Sequence, residues 1–146
     1  SVTHLPDDLY RKPCGLFFGT IHGTLNHLLL TDGEIWYPRF SEGRSPTLAL
    51  DAEIESNREV LASRLIAAAR QWAGYIDSLS DDALAGEVHY TTTTGQGRTL
   101  PMAATLLHVF NHATHHRGQI TAAISSYGFE YQPLDLLLLI FSETPV

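Results

Sequence analysis

Cysteine is nearly missing from this chain: Cys14 is the single one in 146 residues. No disulfide can close within the chain and no cysteine-based zinc site can form, which fits a reducing, cytoplasmic setting. Basic residues are scarce as well. Nine Lys and Arg stand against sixteen Asp and Glu, for a formal net charge of −7. Arg39, Arg44, Arg58, Arg64 and Arg70 are scattered and form no block. An acidic chain without a basic surface is a poor wrapper of phosphate backbones, so no nucleic acid is expected as a partner. Long apolar runs are missing too. Leu28 to Leu30 and Leu136 to Phe141 fall far short of the roughly 20 residues that span a bilayer, and no membrane partner is expected. No secretory signal pattern is visible.

What remains is an ordinary globular composition. Hydrophobic residues make up 44% and charged residues 17%, which places the chain outside the disordered class. Its length suits one domain over residues 1–146. There is no internal repeat and no low-complexity tract.

Residues 1–14, with Pro6 and Pro13, carry weak patterning and read as a connector or as the tail of an element that begins before Ser1. From about Leu16 the apolar residues Leu16, Phe18, Ile21, Leu25, Leu28, Leu29 and Trp36 recur at a helical period, and Pro38 should end that helix. Thr20, Thr24, His27 and Thr31 form a stripe of mostly small polar side chains beside the core face. Residues 38–48 read as a loop. A second helix is predicted from about Leu50 to Leu79, with Ile54, Leu61, Leu65, Ala68, Trp72, Ile76 and Leu79 inward. Glu87 to Thr93 and residues 97–100 flank Gly95-Gln96-Gly97 and predict a short β-hairpin. Pro101 suits the first turn of the next helix, with Thr99 as its cap. That helix should run from about 102 to 127 and stop at Gly128. Pro133 opens a last apolar element, Leu134 to Phe141, expected across the bundle end.

Four of the eight histidines fall between His108 and Gln119. Imidazole is the commonest protein metal ligand, and helix packing has no need of such a run. At the helical period His112 and His116 stand one turn apart on the shoulder of the buried face, where i and i+4 imidazoles can converge on one ion. His108 and His115 lie further toward solvent. Read alone, the pair leaves three readings open: metal ligands, hydrogen-bonded core histidines, or a solvent-facing cluster. A three-ligand site would need a histidine from another helix. His27 fits best, although taken alone a packed or capping role is the commoner one for such a histidine. His22 points away from His27 and is expected to be exposed. Asp32 and Glu34 are expected to face water. The zinc-protease pattern HExxH is absent, because Ala113 stands where its glutamate would be. The Glu-x-x-His pairs of di-iron bundles are absent as well.

The segment from Asn111 through Ile120, NHATHHRGQI, resembles the signature helix of the DinB family. Thr24-Leu25-Asn26-His27, followed by Asp32 and Trp36, resembles that family's second motif, and Pro133-Leu134-Asp135-Leu136 its C-terminal segment. The three motifs occur in the family's order across roughly residues 15–141. The resemblance implies an all-α fold, an up-down-down-up four-helix bundle, here with the short hairpin near 87–100. The family's first helix normally precedes the matched segment, so it is expected to be absent or truncated. The resemblance also implies a divalent metal, nickel or zinc, held by His27, His112 and His116, and a homodimer.

Some members of the wider superfamily are transferases or isomerases that use a low-molecular-weight thiol. The expected function is therefore a metal-dependent enzyme that activates a thiol, or else a water, toward a small-molecule substrate. The alternative is a non-catalytic, metal-binding, dimeric stress-response module. No strong general base is visible beside His27, which favours the thiol. Asn111, His108, His115 and Gln119 are candidates for orienting the ligands.

Overall fold

A computed structural model describes residues 2–143; the side chains of residues 139 and 141–143 lie outside the description. The chain is mostly helical, with one two-stranded antiparallel sheet. After a 3₁₀ turn at Val2–His4 come α1 (Asp7–Tyr10), α2 (Ile21–Leu28), a π-helical stretch (Leu29–Trp36) and α3 (Tyr37–Ser41). Then follow α4 (Arg58–Asp77), α5 (Asp81–Leu84), β1 (Glu87–Thr91), β2 (Gly97–Pro101), α6 (Met102–Ser126) and α7 (Leu136–Glu143).

The N-terminal residues are no mere connector. Leu5 and Tyr10 are buried with Ile21, Leu28, Ile120 and Ile124 in one core cluster. Arg58 fastens them: its guanidinium lies 4.3 Å from the centre of the Tyr10 ring and donates to the carbonyls of Val2 and Leu5. The chain then turns tightly through Leu16–Gly19 before α2 starts at Ile21, five residues later than its periodicity predicts. Thr20 is the reason, because its Oγ1 caps the helix by accepting from the Gly23 amide at 2.9 Å. Gly23 is also obligatory for space, since a Cβ there would stand 2.3 Å from the Phe18 carbonyl oxygen.

Pro38 does not end the helix. The chain passes through it in a widened register, with the Tyr37 amide bonded to the Asp32 carbonyl. An i→i−5 register just ahead of a proline relaxes the crowding of its ring against the preceding turn. The rod from α2 to α3 packs against both α4 and α6. Near α3 an aromatic cluster forms from Trp36, Tyr37, Phe40, Trp72 and Tyr75, with Val88 from the hairpin and Val109 from α6.

The second long helix begins at Arg58, not near Leu50, because Asn57 caps it by accepting from the Glu59 and Val60 amides at 3.0 Å each. Residues 52–57 run without helical structure over α2. Leu50 and Ile54 match the helical period by coincidence. The hairpin pairs Glu87 with Pro101 and Thr91 with Gly97, near its predicted place. Thr99 is a strand residue bonded to His89 and caps nothing, while Pro101 is the residue that precedes α6. Gly128, at φ +78°, follows α6 in the left-handed conformation its position requires.

Candidate metal centre

His27 from α2 and His112 and His116 from α6 converge, with one ring nitrogen of each within 4.8 Å of the others. His112 Nε2 lies 3.4 Å from His27 Nε2 and 3.2 Å from His116 Nε2. These are not ordinary hydrogen bonds. His27 Nδ1 faces the Leu50 carbonyl at 2.8 Å. A carbonyl only accepts, so the His27 proton sits on Nδ1 and its Nε2 presents a lone pair. His116 Nδ1 meets Gln119 Oε1 at 2.9 Å, which fixes that ring the same way. Gln119 Nε2 in turn donates to His115 Nε2 at 3.0 Å, consistent with that amide orientation. His112 Nδ1 is buried without a partner. One proton on His112 Nε2 would serve only one of its two neighbours, so lone pairs face each other whichever tautomer is drawn.

A Lewis acid resolves that arrangement. Nitrogens about 2.05 Å from a tetrahedral ion lie about 3.3 Å apart, close to the two spacings here. The donor set therefore fits a divalent ion. The same crowding disfavours protonation. His112 is pushed down to about 4, by burial first and then by the charges of His116, His27, His108 and His115. Burial also lowers His27, against the proton-favouring Leu50 carbonyl, and lowers His116, against Gln119. All three rings are thus held in the neutral form that ligands need.

Phe18 covers the group. Its ring stacks on His27 at 3.7 Å between centroids and lies 5.6 Å from His116. On the other side a hollow of about 250 Å³ is lined by His27, His112, His108, Thr31, Trp36, Arg39 and Tyr90, among others, and by no carboxylate. Larger hollows lie along the hairpin edge and between α6 and α7, but neither touches the three histidines.

Among known families, the DinB family matches residues 1–145 of this chain. The chain belongs to the DinB family. No curated protein and no solved structure matched it. Within this DinB chain the expected secondary positions sort by geometry. Gln119 orients His116, and His115 backs Gln119. His108 is exposed, packs against Trp36 at 5.7 Å and lines the hollow. Asn111 is exposed on the groove beside α7, away from the histidines.

Two expectations are corrected. His22 is not exposed; at 3% exposure it is bonded to Tyr10 Oη at 3.1 Å and lies 3.2 Å from Asn26 Nδ2. The N-terminal segment folds back over it, which helix periodicity does not report. Asp32 does not stand free in water: it is half-buried, and its carboxylate accepts from Thr31 Oγ1 at 3.1 Å. Burial raises the Asp32 carboxyl from 3.8 to about 6, while Thr31 and the charge of Arg117 hold it partly down.

A raised folded-state pKa means the native chain binds this proton more tightly than the unfolded chain. That stabilisation is complete below pH 3.8 and is lost as pH rises through about 6. Asp32→Asn, which carries no charge to bury, should therefore gain about 1–3 kcal/mol over the native chain near pH 8 and almost nothing near pH 4. Urea unfolding at the two pH values checks this, and equal differences at both would refute it.

Residues that sequence reasoning passed over matter as much. Asn26 and Arg39 stand in buried, polar positions beside the site. Asn26 had a signal, its place next to His27 in the TLNH motif; Arg39 had none beyond its type.

Proposed function

We propose that His27, His112 and His116 hold a divalent metal ion, nickel or zinc, in a cytoplasmic enzyme of a single domain that activates a low-molecular-weight thiol toward a small-molecule substrate. The observation that carries this reading is the convergence of three imidazole nitrogens, two of them fixed as lone-pair donors by bonds at Nδ1. A divalent ion held by three neutral imidazoles, with a position left open, lowers the pKa of a thiol or water that binds it.

The chain's own residues would do the rest. The Leu50 carbonyl and Gln119 keep two ligand rings in their tautomers. Phe18 excludes water from one side of the group. His108 is the imidazole of the cavity wall outside the three, and its ring is the group placed to take up the proton a thiol gives away. A thiol is far more acidic than water, so with His108 and no carboxylate in the wall the site favours thiol transfer or isomerisation over hydrolysis.

The same reading gives the chain the family's up-down-down-up bundle, with the rod from α2 to α3, α4 and α6 as three of its members. It also makes the protein a homodimer. Leu107 and Phe110 on α6, Leu136 on α7 and Leu134 just ahead of it are exposed, an apolar surface of the kind that pairs with another. A monomer by sedimentation velocity would remove that part. The exposed face equally favours the second reading, a metal-binding dimeric stress-response module without catalysis.

Cobalt-loaded protein separates the two. Glutathione, bacillithiol, mycothiol and coenzyme A are titrated in turn, and the active thiol is expected to raise a charge-transfer absorption that His112→Ala lacks. A spectrum unmoved by all four would end the thiol reading.

A further inference from the structure

The wall of the cavity beside the three histidines contains a single arginine, and it is buried. Arg39 on α3 is 6% exposed. Its guanidinium is held between two rings, 4.7 Å from the centre of Trp36 and 4.5 Å from that of Tyr90. Nη2 donates to the Thr91 carbonyl at 3.0 Å, and Nε is buried with no hydrogen-bond partner. Among the described residues no carboxylate comes within ion-pairing distance of Arg39. The chain carries a net charge of −7, so the lack of a counter-charge here runs against its composition. Buried cations are normally paired, because an unpaired one forgoes its hydration without return.

We propose that Arg39 binds the carboxylate of a small organic anion in this cavity, with the apolar body of that molecule against Ile35 and Leu50 and its reactive end toward His27 and His112. The guanidinium fork can bind a planar carboxylate through two parallel N–H···O bonds. A volume of about 250 Å³ admits a compact molecule. That volume sits just below the usual range for ligand sites, which excludes a bulky one. Thr31, Thr92 and Thr93 line the same space. The substrate class named here rests on the reading of this cavity as the substrate site, but the anion-binding step does not require the metal.

Benzoate and its neutral counterpart benzamide test the assignment, titrated by calorimetry into full-length protein, both stripped of metal and loaded with zinc. Benzoate is expected to bind both forms, at least about tenfold more tightly than benzamide. Arg39→Gln should bind benzoate no better than benzamide, and Arg39→Lys should keep part of the preference. A purely structural Arg39, propping the hairpin through its two rings, would change unfolding in Arg39→Gln without any benzoate preference in the native protein.

The proposal is overturned if benzoate shows no saturable binding, if benzoate and benzamide bind alike, or if benzoate binding requires zinc and survives in Arg39→Gln. The last result would place the carboxylate on the ion. Zinc content is measured in the same samples. Its absence from the native protein defeats the metal reading and leaves the benzoate comparison intact. Should Arg39→Gln fail to fold, the Arg39→Lys variant and the benzamide comparison still decide.

Discussion

Purified without a histidine tag, His112→Ala is expected to carry almost no divalent metal, while the native chain carries close to one ion. His112 is the middle ligand. Its Nε2 is within 3.4 Å of both other nitrogens, so removing it leaves two imidazoles to hold the ion. Losing an outer-shell partner of a ligand already costs about 10–100-fold in metal affinity, and losing the ligand itself should exceed that.

The effect on the fold runs the other way. The metal-free native chain buries His112 Nδ1 without a partner and sets lone pairs against one another. Deleting that ring should cost the metal-free protein little beyond a small cavity. Zinc at 100 times its dissociation constant should stabilise the native chain by about 2.7 kcal/mol and leave the variant's unfolding unchanged. Elemental analysis with thermal unfolding, with and without zinc, checks both. Equal metal in the two proteins would sink the site.

Asn26→Ala should be the most damaging single change outside the three histidines. The Asn26 side chain, 1% exposed, accepts from the Ile54 and Glu55 amides at 2.9 Å each and donates to the Glu55 carbonyl at 3.0 Å. Its amide thus mimics a strand partner for a segment whose other ties are single bonds, from Arg64 to the Ile54 carbonyl and from Arg11 to that of Ser56. Alanine leaves two backbone donors and an acceptor unmatched, a loss on the order of 3–4 kcal/mol.

The damage should reach the site as well. Ile54 and Glu55 lie only four and five residues beyond Leu50, whose carbonyl fixes the tautomer of His27. Freed from Asn26, that segment no longer holds the carbonyl in place, and metal affinity should fall about 10–100-fold. Asn26→Asp keeps the acceptor oxygen and should lose less of both. Urea unfolding with a parallel zinc titration reads the two effects. A variant within about 0.5 kcal/mol of the native chain would show that the segment is held by something else.

What could be read along the chain was what a single element decides by its own repeat. The span of α6, its stop at Gly128 and the shared face of His112 and His116 follow from 3.6 residues per turn and from glycine's left-handed freedom. The hairpin followed from a glycine-rich turn after a run rich in β-branched residues. Helix starts were less legible. Leu16 and Leu50 continue an apolar period on paper, but the capping bonds of Thr20 and Asn57 end it. A capping bond is local and specific, so it prevails over a weak periodic preference.

The sequence by itself determined that two histidines share a helix face, that the chain has no cysteine set or basic surface to suggest other chemistry, and that its motifs are those of the DinB family. Only the tertiary structure decided which third histidine meets them. It also decided that Asn26 and Leu50 hold that histidine in register, that His22 is withdrawn from water and Asp32 half-buried, and that Arg39 enters the cavity without a counter-charge. The physical reason is the same in each case. Helical periodicity fixes directions around one axis, whereas burial and proximity between residues 85 apart depend on how separate axes pack, and no repeat within either helix encodes that.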